Sequence, residues 1–336
     1  MSPDNTSSNP PADLTVAVTG PTGTFGFGLM PLLQDDDRVG KIVGIARRPF
    51  DPGEHGWTKM EYRRGDVRDE AVLKEAFTGA DVVVHLAFLI IGGNKETTRA
   101  INVEGTLNVF RAAAAAGVER FVYASSVAAY GFHADNPVGM TEDWPTRPAE
   151  RLFYAQEKAE LEALLQEEAA AHPELALYLL RPPVVLGPHT LGAKELPGPF
   201  GPLSRRFNGR LPKTPIPFPV LVPDHPLQFI HEDDVGQALL QCVVGAGPPG
   251  AYNIAGDGVL SMVDVARELG LRPVKISAAP TQLAARMVSK VPWMPSFVSW
   301  VEAMSHPAVM DTTRAKTELG WTPRYTGIEA LRDTLR

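Results

Sequence analysis

The 336-residue sequence has one cysteine, no long hydrophobic run and no excess of basic residues. The single Cys242 excludes an internal disulfide and a cysteine metal cluster, and we predict no metal site. A net charge of −7 offers no positive field for nucleic acid or an anionic membrane. The longest apolar run, residues 82–91, is far shorter than the ~20 residues of a membrane-spanning helix. We therefore expect a cytoplasmic protein without nucleic-acid or membrane partners.

The N-terminal residues 1–13 are polar and proline-rich, and they lack the basic and apolar regions of a signal peptide. Such a composition cannot bury enough apolar surface to fold, so we expect a disordered tail. The rest of the chain is long enough to bury a substantial core.

A glycine-rich segment directly follows the first predicted strand. The strand is the β-branched run at residues 14–19, and the segment TGPTGTFG spaces Gly20, Gly23 and Gly26 before an apolar helix. Glycines at this spacing let the backbone turn tightly beside a pyrophosphate, whose charge then lies at the helix N-terminus. The sequence therefore predicts a dinucleotide site. Further strands at 41–46, 60–64, 81–87 and 120–125 alternate with helices, which predicts a doubly wound α/β sheet.

The end of the second predicted strand bears on cofactor choice. An NAD-binding fold usually has an acidic residue about 20 positions after the last glycine, on the ribose 2′-hydroxyl. Here that position is Ala46, and Arg47 and Arg48 follow. Guanidinium groups bind a 2′-phosphate well, so we predict that NADP is preferred over NAD. The alternative is a pair of solvated surface arginines.

The strongest chemical signal is a tyrosine and a lysine four residues apart, Tyr154 and Lys158. On a helix this spacing places both side chains on one face. An ammonium about 4 Å from the phenol would favour the phenolate by roughly 4 kcal/mol, or about three pKa units, at an effective dielectric of about 20. A helix that carries both residues by chance is the alternative. The position after the glycine-rich segment and after the pair Ser125 and Ser126 favours an acid/base role.

Several other polar residues have two readings. Asp66 could accept a hydrogen bond from an adenine amino group, or it could cap the helix predicted at 70–77. We interpret His85 as a buried structural residue. His231 and the acidic pair after it suggest a metal site only superficially, and Asp233 is predicted to cap the following helix.

The motifs together carry a family resemblance. In order along the chain they are TGPTGTFG, GDVRD, HLA, NVEGTLNV, YASSVAAYG, YAQEK and RPPVVLGP, followed by FIHEDDVGQAL, YNIAGDG and TRAKTELGWTP. Over residues 14–330 the chain resembles the extended short-chain dehydrogenase/reductases, the NAD(P)-dependent epimerase/dehydratase family. The resemblance implies a Rossmann-like domain at 14–185, to which the chain returns near 226–258. A smaller substrate-binding region would then comprise 186–225 and 259–336.

The resemblance also implies roles for individual residues. Tyr154 would exchange a proton with the substrate, Lys158 would hold the nicotinamide ribose, and Ser126 rather than Ser125 would bind the substrate oxygen. Asn102 would relay protons or support the site. The residues expected to bind the cofactor are Gly20, Thr22, Gly23, Thr24, Phe25, Gly26, Arg47, Arg48, Asp66, Val67, Leu86, Ala87, Tyr154, Lys158, Pro182 and Val185.

The expected substrate region departs from the family's nucleotide-sugar epimerases. Those relatives commonly carry an arginine before the phenylalanine of the FIHEDD-like motif, where this chain has the neutral Gln228. Arg205, Arg206 or Arg210 could substitute for it. The proline-rich segment 188–226 is predicted to be irregular structure over the pocket. The apolar segments 88–91 and 291–300 could line a partly apolar pocket, although the second could equally be core.

Three functions follow as hypotheses. The first is an NADP-using oxidoreductase that acts on a secondary alcohol or its ketone. The second is a nucleotide-sugar 4-epimerase with a retained NAD, and the third is a non-catalytic dinucleotide sensor. The resemblance further implies a homodimer formed through the helices near 95–116 and 151–171.

Overall fold

The computed structural model describes residues 13–90, 95–190, 219–223, 225–276 and 306–335. Several predictions fall outside this part of the chain. They concern the tail at 1–12, the three arginines at 205, 206 and 210, most of the proline-rich segment and the apolar segment 291–300.

The centre of the protein is a seven-stranded parallel sheet. Its strands are β1 (Leu14–Thr19), β2 (Val39–Ala46), β3 (Met60–Arg64), β4 (Val82–His85), β5 (Arg120–Ala124), β6 (Ala176–Arg181) and β11 (Gly250–Asn253). The strand order is β3-β2-β1-β4-β5-β6-β11, and every neighbouring pair runs parallel. The predicted doubly wound α/β sheet is thus confirmed.

Helices cover both faces of this sheet. On one face lie α1 (Thr24–Asp35) and α6 (Glu232–Val243), and on the other lie α2 (Glu70–Phe77), α4 (Gly105–Ala115) and α5 (Phe153–Ala171). Alternate strand residues enter the two cores: Val82 and Val84 pack with α1 and α6, whereas Val83 packs with the other helices. Because both faces are buried, the strands are apolar throughout and lack polar alternation.

The helical run that leads into α4 is locally widened. It starts with α3 (Lys95–Arg99) and continues through a π-helical turn (Ala100–Glu104) into α4. The helix expected near 95–116 is therefore continuous, but the sequence did not predict the π-helical turn. Asn102 lies in that turn. Single π-helical turns occur often at functional sites because they re-aim a side chain within a helix.

Helices α1 and α6 approach closely through two glycines. A Cβ at Gly28 would lie 2.2 Å from the carbonyl oxygen of Glu232, and a Cβ at Gly236 would lie 2.0 Å from that of Gly28. Neither position can accept a side chain without separating the helices. This contact joins the helix after the glycine-rich segment to the C-terminal part of the chain.

The remaining strands form three small pairs. They are β7 (Val184–Leu186) with β10 (Phe229–His231), β9 (Pro226–Leu227) with β12 (Leu260–Ser261), and β8 (Pro219–Pro223) with β13 (Arg272–Ile276). Helices α7 (Met262–Glu268), α8 (Thr313–Glu318) and α9 (Gly327–Thr334) accompany them. Among the described residues, no helix is long and apolar enough to cross a bilayer.

The start of α6 corrects one prediction. Asp233 does not cap this helix, because the helix begins at Glu232 and Asp233 lies in its first turn. The cap is His231, whose Nδ1 accepts a hydrogen bond from the backbone N–H of Asp233. Asp234 instead accepts hydrogen bonds from the backbone N–H groups of Arg324 and Tyr325, which fixes the C-terminal segment on α6.

Candidate dinucleotide and catalytic site

The glycine-rich segment turns between β1 and α1. Gly20 has a φ of 73°, in the left-handed region that glycine tolerates, and a Cβ there would lie 2.9 Å from the Cα of Ala87. A Cβ at Gly26 would lie 2.0 Å from the carbonyl oxygen of Pro21. Gly23 is the N-cap of α1, and no side chain caps the helix there. A helix N-terminus that begins after a glycine turn of this kind is where a phosphate group can bind.

The predicted cofactor residues near this segment lie at the carboxyl ends of neighbouring strands. Leu86 and Ala87 follow β4, and the backbone N–H of Leu86 donates to the carbonyl of Thr19 at 3.0 Å. Thr24, the first residue of α1, donates from Oγ1 to the carbonyl of His189 at 3.3 Å. Thr22 and Phe25 are partly exposed on the same turn. Because these strands are parallel, their carboxyl ends form one edge, which is where dinucleotides bind in open α/β sheets.

Asp66 lies at the end of β3 and binds Arg68. Arg68 donates to both carboxylate oxygens, with Nε–Oδ1 and Nη2–Oδ2 distances of 2.9 and 2.8 Å, and this pairing lowers the pKa of Asp66. The alternative reading of Asp66 as a helix cap is wrong: Asp69 caps α2 by accepting from the N–H groups of Ala71 and Val72. Val67 is buried beside Gly105.

The structure brings Ser126 and Tyr154 together. Tyr154 is in the first turn of α5, and its hydroxyl is hydrogen-bonded to the Ser126 side chain. Ser126 caps the short 3₁₀ turn after β5 and accepts from the N–H of Ala128 at 3.1 Å. Ser125 points elsewhere and donates to the buried carboxylate of Glu162. Of the two serines, only Ser126 thus contacts the tyrosine in this arrangement.

Lys158 is buried one turn along α5 from Tyr154. Its Nζ donates to the Tyr123 hydroxyl at 2.9 Å and to the Ala124 carbonyl at 2.8 Å. The Phe88 ring centroid lies 3.7 Å from Nζ, whereas the Tyr154 ring centroid is 6.0 Å away. Phe88 also contacts Tyr154 edge-on, with ring centroids 5.6 Å apart, so its ring packs against both members of the pair.

Burial dominates the ionisation of this pair. It lowers the pKa of Lys158 to about 7, although Glu162 and Glu157 oppose the shift. Burial also raises the pKa of Tyr154, while the hydrogen bond from Ser126 acts in the opposite direction. The lowered tyrosine pKa expected from the sequence is therefore wrong for this structure. The spacing alone did not account for the loss of solvent around both groups or for the partners that Lys158 finds on β5.

Asn102 holds the segment after β4. Its Oδ1 accepts from the N–H of Leu89 at 2.8 Å, and its Nδ2 donates to the Leu89 carbonyl at 3.0 Å and to the Glu157 carboxylate at 2.8 Å. These bonds fix the backbone beside Phe88. Both side-chain polar atoms of Asn102 are thus hydrogen-bonded within the protein. This favours the reading in which Asn102 supports the site over the reading in which it relays protons.

A buried polar network lies behind the serine pair. Arg181, at the end of β6, forms an ion pair with Glu162, and its Nη1 donates to the Tyr130 hydroxyl at 2.7 Å. The Tyr130 hydroxyl in turn donates to Asn253 Oδ1 at 2.7 Å. The network therefore connects the helix of Tyr154 and Lys158, through Glu162, to the end of β5, to β6 and to β11. A network whose members are all paired fixes their relative positions.

His85 is buried between two threonines, as the structural reading predicted. Thr19 Oγ1 lies 2.6 Å from its Nδ1 and Thr106 Oγ1 lies 2.9 Å from its Nε2. Burial lowers the pKa of His85 to about 3, so the ring is neutral and joins β1, β4 and α4.

Two other predicted cofactor residues lie near the end of β6 and on β7. The Pro182 carbonyl accepts from the N–H of Val127, and Val185 lies partly buried on β7.

Gln228 has a structural role in the arrangement that the structure shows. Its Oε1 accepts from the N–H of Met310 at 2.8 Å, and its Nε2 donates to the Met310 carbonyl at 2.9 Å. Both ends of the amide are therefore bound to the C-terminal segment.

Sequence reasoning missed three contributors to this site: Phe88, Tyr123 and Glu162. Glu162 follows Lys158 by four residues on one helix face, a spacing that could have identified it. Tyr123 lies on β5, two residues before the serine pair. Its position in the strand gave no reason to expect a contact with Lys158. Phe88 was counted only as part of an apolar run.

The comparisons with known proteins agree with this fold. A family model described as the NAD dependent epimerase/dehydratase family matches residues 16–255. The chain belongs to this family, which confirms the resemblance drawn from the sequence. An uncharacterized protein of Mycobacterium tuberculosis is 27% identical over 338 residues, covering 98% of this chain and 85% of that protein.

Solved structures that are similar over almost the whole chain include the following two. MoeE5 in complex with UDP-glucose and NAD is 26% identical, with a TM-score of 0.68 and coverage of 96% of this chain and 97% of that chain. The UDP-glucose 4-epimerase of Thermotoga maritima, with UDP-glucose, is 19% identical, with a TM-score of 0.71 and the same coverage. At that identity the second supports the fold alone.

Proposed function

We propose that the protein is an NADP(H)-dependent oxidoreductase that interconverts a secondary alcohol and its ketone. The observation that carries the proposal is the hydrogen bond between Ser126 and Tyr154, with the Lys158 ammonium buried beside them. A hydroxyl and a phenol that converge at one point can bind and protonate a single substrate oxygen. The non-catalytic sensor is disfavoured because Ser126, Tyr154 and Lys158 are all present in the chain.

The residues of the chain fit a dinucleotide. The uncapped N-terminus of α1 would hold the pyrophosphate, and the packing of Gly20 and Gly26 leaves no side chain over the turn. Lys158 would hold the nicotinamide ribose, as the resemblance implies, and Asp66 retains lone pairs for an adenine amino group. When bound, the nicotinamide supplies or accepts the hydride.

The protein's own contribution is the proton step. In the reducing direction Ser126 would donate to the ketone oxygen and orient it toward Tyr154. The ketone oxygen would take the Tyr154 proton, while the carbonyl carbon would receive the hydride that a bound reduced nicotinamide supplies. This would leave the alcohol and a tyrosinate at residue 154, which a proton from solvent would restore. Since burial raises the Tyr154 pKa, the phenol holds its proton at neutral pH and suits the role of acid.

We infer a preference for NADP from the segment after β2. Ala46 offers no carboxylate to a 2′-hydroxyl, and the guanidinium groups of Arg47 and Arg48 are exposed beside it. A single charge-assisted hydrogen bond to the 2′-phosphate contributes ~1.5–3 kcal/mol, or roughly tenfold or more in affinity. MoeE5 was solved with NAD, so this preference would set the chain apart from it.

A nucleotide-sugar 4-epimerase with retained NAD is the second candidate. It is favoured by MoeE5, which was solved with UDP-glucose and NAD. It is disfavoured by Gln228, which stands where the family's nucleotide-sugar epimerases commonly carry an arginine and which is bound at both ends to Met310. The exposed apolar side chain of Ile90 follows Phe88 and Leu89 and is better suited to a partly apolar substrate.

Native mass spectrometry of the purified protein, followed by cofactor exchange, would separate the two candidates. A tightly retained NAD, with interconversion of UDP-glucose and UDP-galactose, would identify the epimerase and refute our proposal. Rapidly exchanged NADP, with oxidation of NADPH that depends on an added ketone, would support the oxidoreductase. Arg47→Ala should then lower the affinity for NADP more than that for NAD.

A further inference from the structure

The segment that follows β2 is tied down by side chains of the neighbouring strand β3. In the parallel register, Arg64 lies opposite Ala46. The Tyr62 hydroxyl is within hydrogen-bonding distance of the carbonyls of Ala46, at 3.1 Å, and Arg48. Arg64 Nε donates to the carbonyl of Arg47 at 3.0 Å. All three carbonyls of this segment are thus bound from β3, which fixes the backbone from which Arg47 and Arg48 project.

The same corner of the molecule carries more positive than negative charge. Two of its arginines are neutralised: Arg63 pairs with Glu61 and Glu75, and Arg68 pairs with Asp66. In the part of the chain that the structure describes, no carboxylate lies within ion-pair distance of the other three arginines, which are Arg47, Arg48 and Arg64. In a chain with a net charge of −7, three such neighbours indicate an anion site.

We propose that Arg64 is a third cation of the 2′-phosphate site and a determinant of cofactor specificity. The proposal rests on the NADP preference proposed above and adds a residue 17 positions after Arg47, which no motif indicated. The bond to the Arg47 carbonyl uses only Nε, so the other N–H groups of the guanidinium can donate to phosphate oxygens. Tyr62 is the accompanying positioning residue, because its hydroxyl holds the backbone on either side of Arg47.

The test compares Arg64→Met with Arg63→Met as a matched control. Both variants remove one arginine from β3, but Arg63 is paired with carboxylates and lies outside the proposed site. Isothermal titration calorimetry would measure the dissociation constants of NADP, NAD, 2′,5′-ADP and ADP for wild type, both variants and Arg47→Ala. We expect Arg64→Met to weaken NADP and 2′,5′-ADP by about tenfold or more. NAD and ADP should change by about twofold at most, and Arg63→Met should leave the NADP-to-NAD ratio as in wild type.

The other outcomes separate the two proposals. If wild type prefers NADP and Arg47→Ala removes that preference, but Arg64→Met does not alter it, only the role of Arg64 is refuted. An equal loss of all four ligands in Arg64→Met would make Arg64 a support of the segment and refute its contact with the phosphate. Equal affinities of wild type for NADP and NAD would refute the cofactor preference itself, and Arg64 with it.

Discussion

Replacing Lys158 by methionine should change how the stability of the protein depends on pH. Lys158 is buried, its ammonium is bonded to Tyr123 and Ala124, and burial lowers its pKa from 10.5 to about 7. Methionine has a similar length, carries no charge and fits an apolar environment. The substitution therefore removes the titration while keeping most of the packing against Phe88.

The sign follows from proton binding. Between pH 7 and 10.5 the unfolded chain holds the lysine proton more tightly than the folded protein, so the contribution of Lys158 to stability rises with pH. Below pH 7 the lysine is protonated in both states, and the cost of burying the charge is fully present. Integration from pH 7 to pH 9 gives a gain of about 2 kcal/mol for wild type relative to Lys158→Met.

Urea unfolding of the cofactor-free proteins at pH 6, 7, 8 and 9 would measure this difference. The control is Lys74→Met, which removes an exposed lysine from α2. Subtracting the free energy of unfolding of each variant from that of wild type at the same pH removes the contribution of titrating groups that all three proteins share. A free-energy difference between wild type and Lys158→Met that stays constant within about 0.5 kcal/mol from pH 7 to 9 would refute the reasoning, because a one-unit pKa shift alone corresponds to about 1.4 kcal/mol.

Three further predictions concern the site and the assembly. Tyr154→Phe should lower turnover by at least ~10²-fold, as for a lost general acid, with cofactor affinity unchanged; more than a tenth of wild-type turnover would exclude Tyr154 as the acid. Phe88→Ala should strengthen NADP binding by about threefold or more, because the ring must leave the Lys158 ammonium before a ribose hydroxyl can reach it. Binding of 2′,5′-ADP, which lacks the nicotinamide ribose, is the control, and an equal effect on both ligands would contradict this role. Finally, we expect a homodimer through α4 and α5, and sedimentation that detects only the monomer at micromolar concentration would contradict it.

The sheet could be predicted from the sequence because its signals are local. The strands at 14–19 and 60–64 match the structure residue for residue, and the others differ by a few terminal residues. Buried parallel strands are continuous β-branched runs, and glycines mark the turn that leads into α1. Ser126 could be chosen over Ser125 from the motif, and in the structure it contacts Tyr154.

Contacts between elements could not be predicted in the same way. Asp66 was the aspartate considered as a cap for the helix at 70–77, whereas the backbone turn makes Asp69 the cap. The spacing of Tyr154 and Lys158 predicted a shared helix face but not that Lys158 would turn to Tyr123 and the backbone of β5. Such partners come from strands that are distant in sequence, and burial, which sets both pKa values here, depends on all of them.

The glycine contact between α1 and α6 has a consequence for how the chain can be divided. The predicted cofactor domain combines residues 14–185 with a return of the chain near 226–258, and in that return α6 supplies Val235, Leu239 and Val243 to the core beneath α1. A fragment that stops at 185 would leave that core face exposed to water and would lose β11 from the edge of the sheet. The part of the protein that would bind a dinucleotide is therefore smaller than the part that must fold. Any truncation or domain exchange has to carry α6 together with the glycine-rich segment.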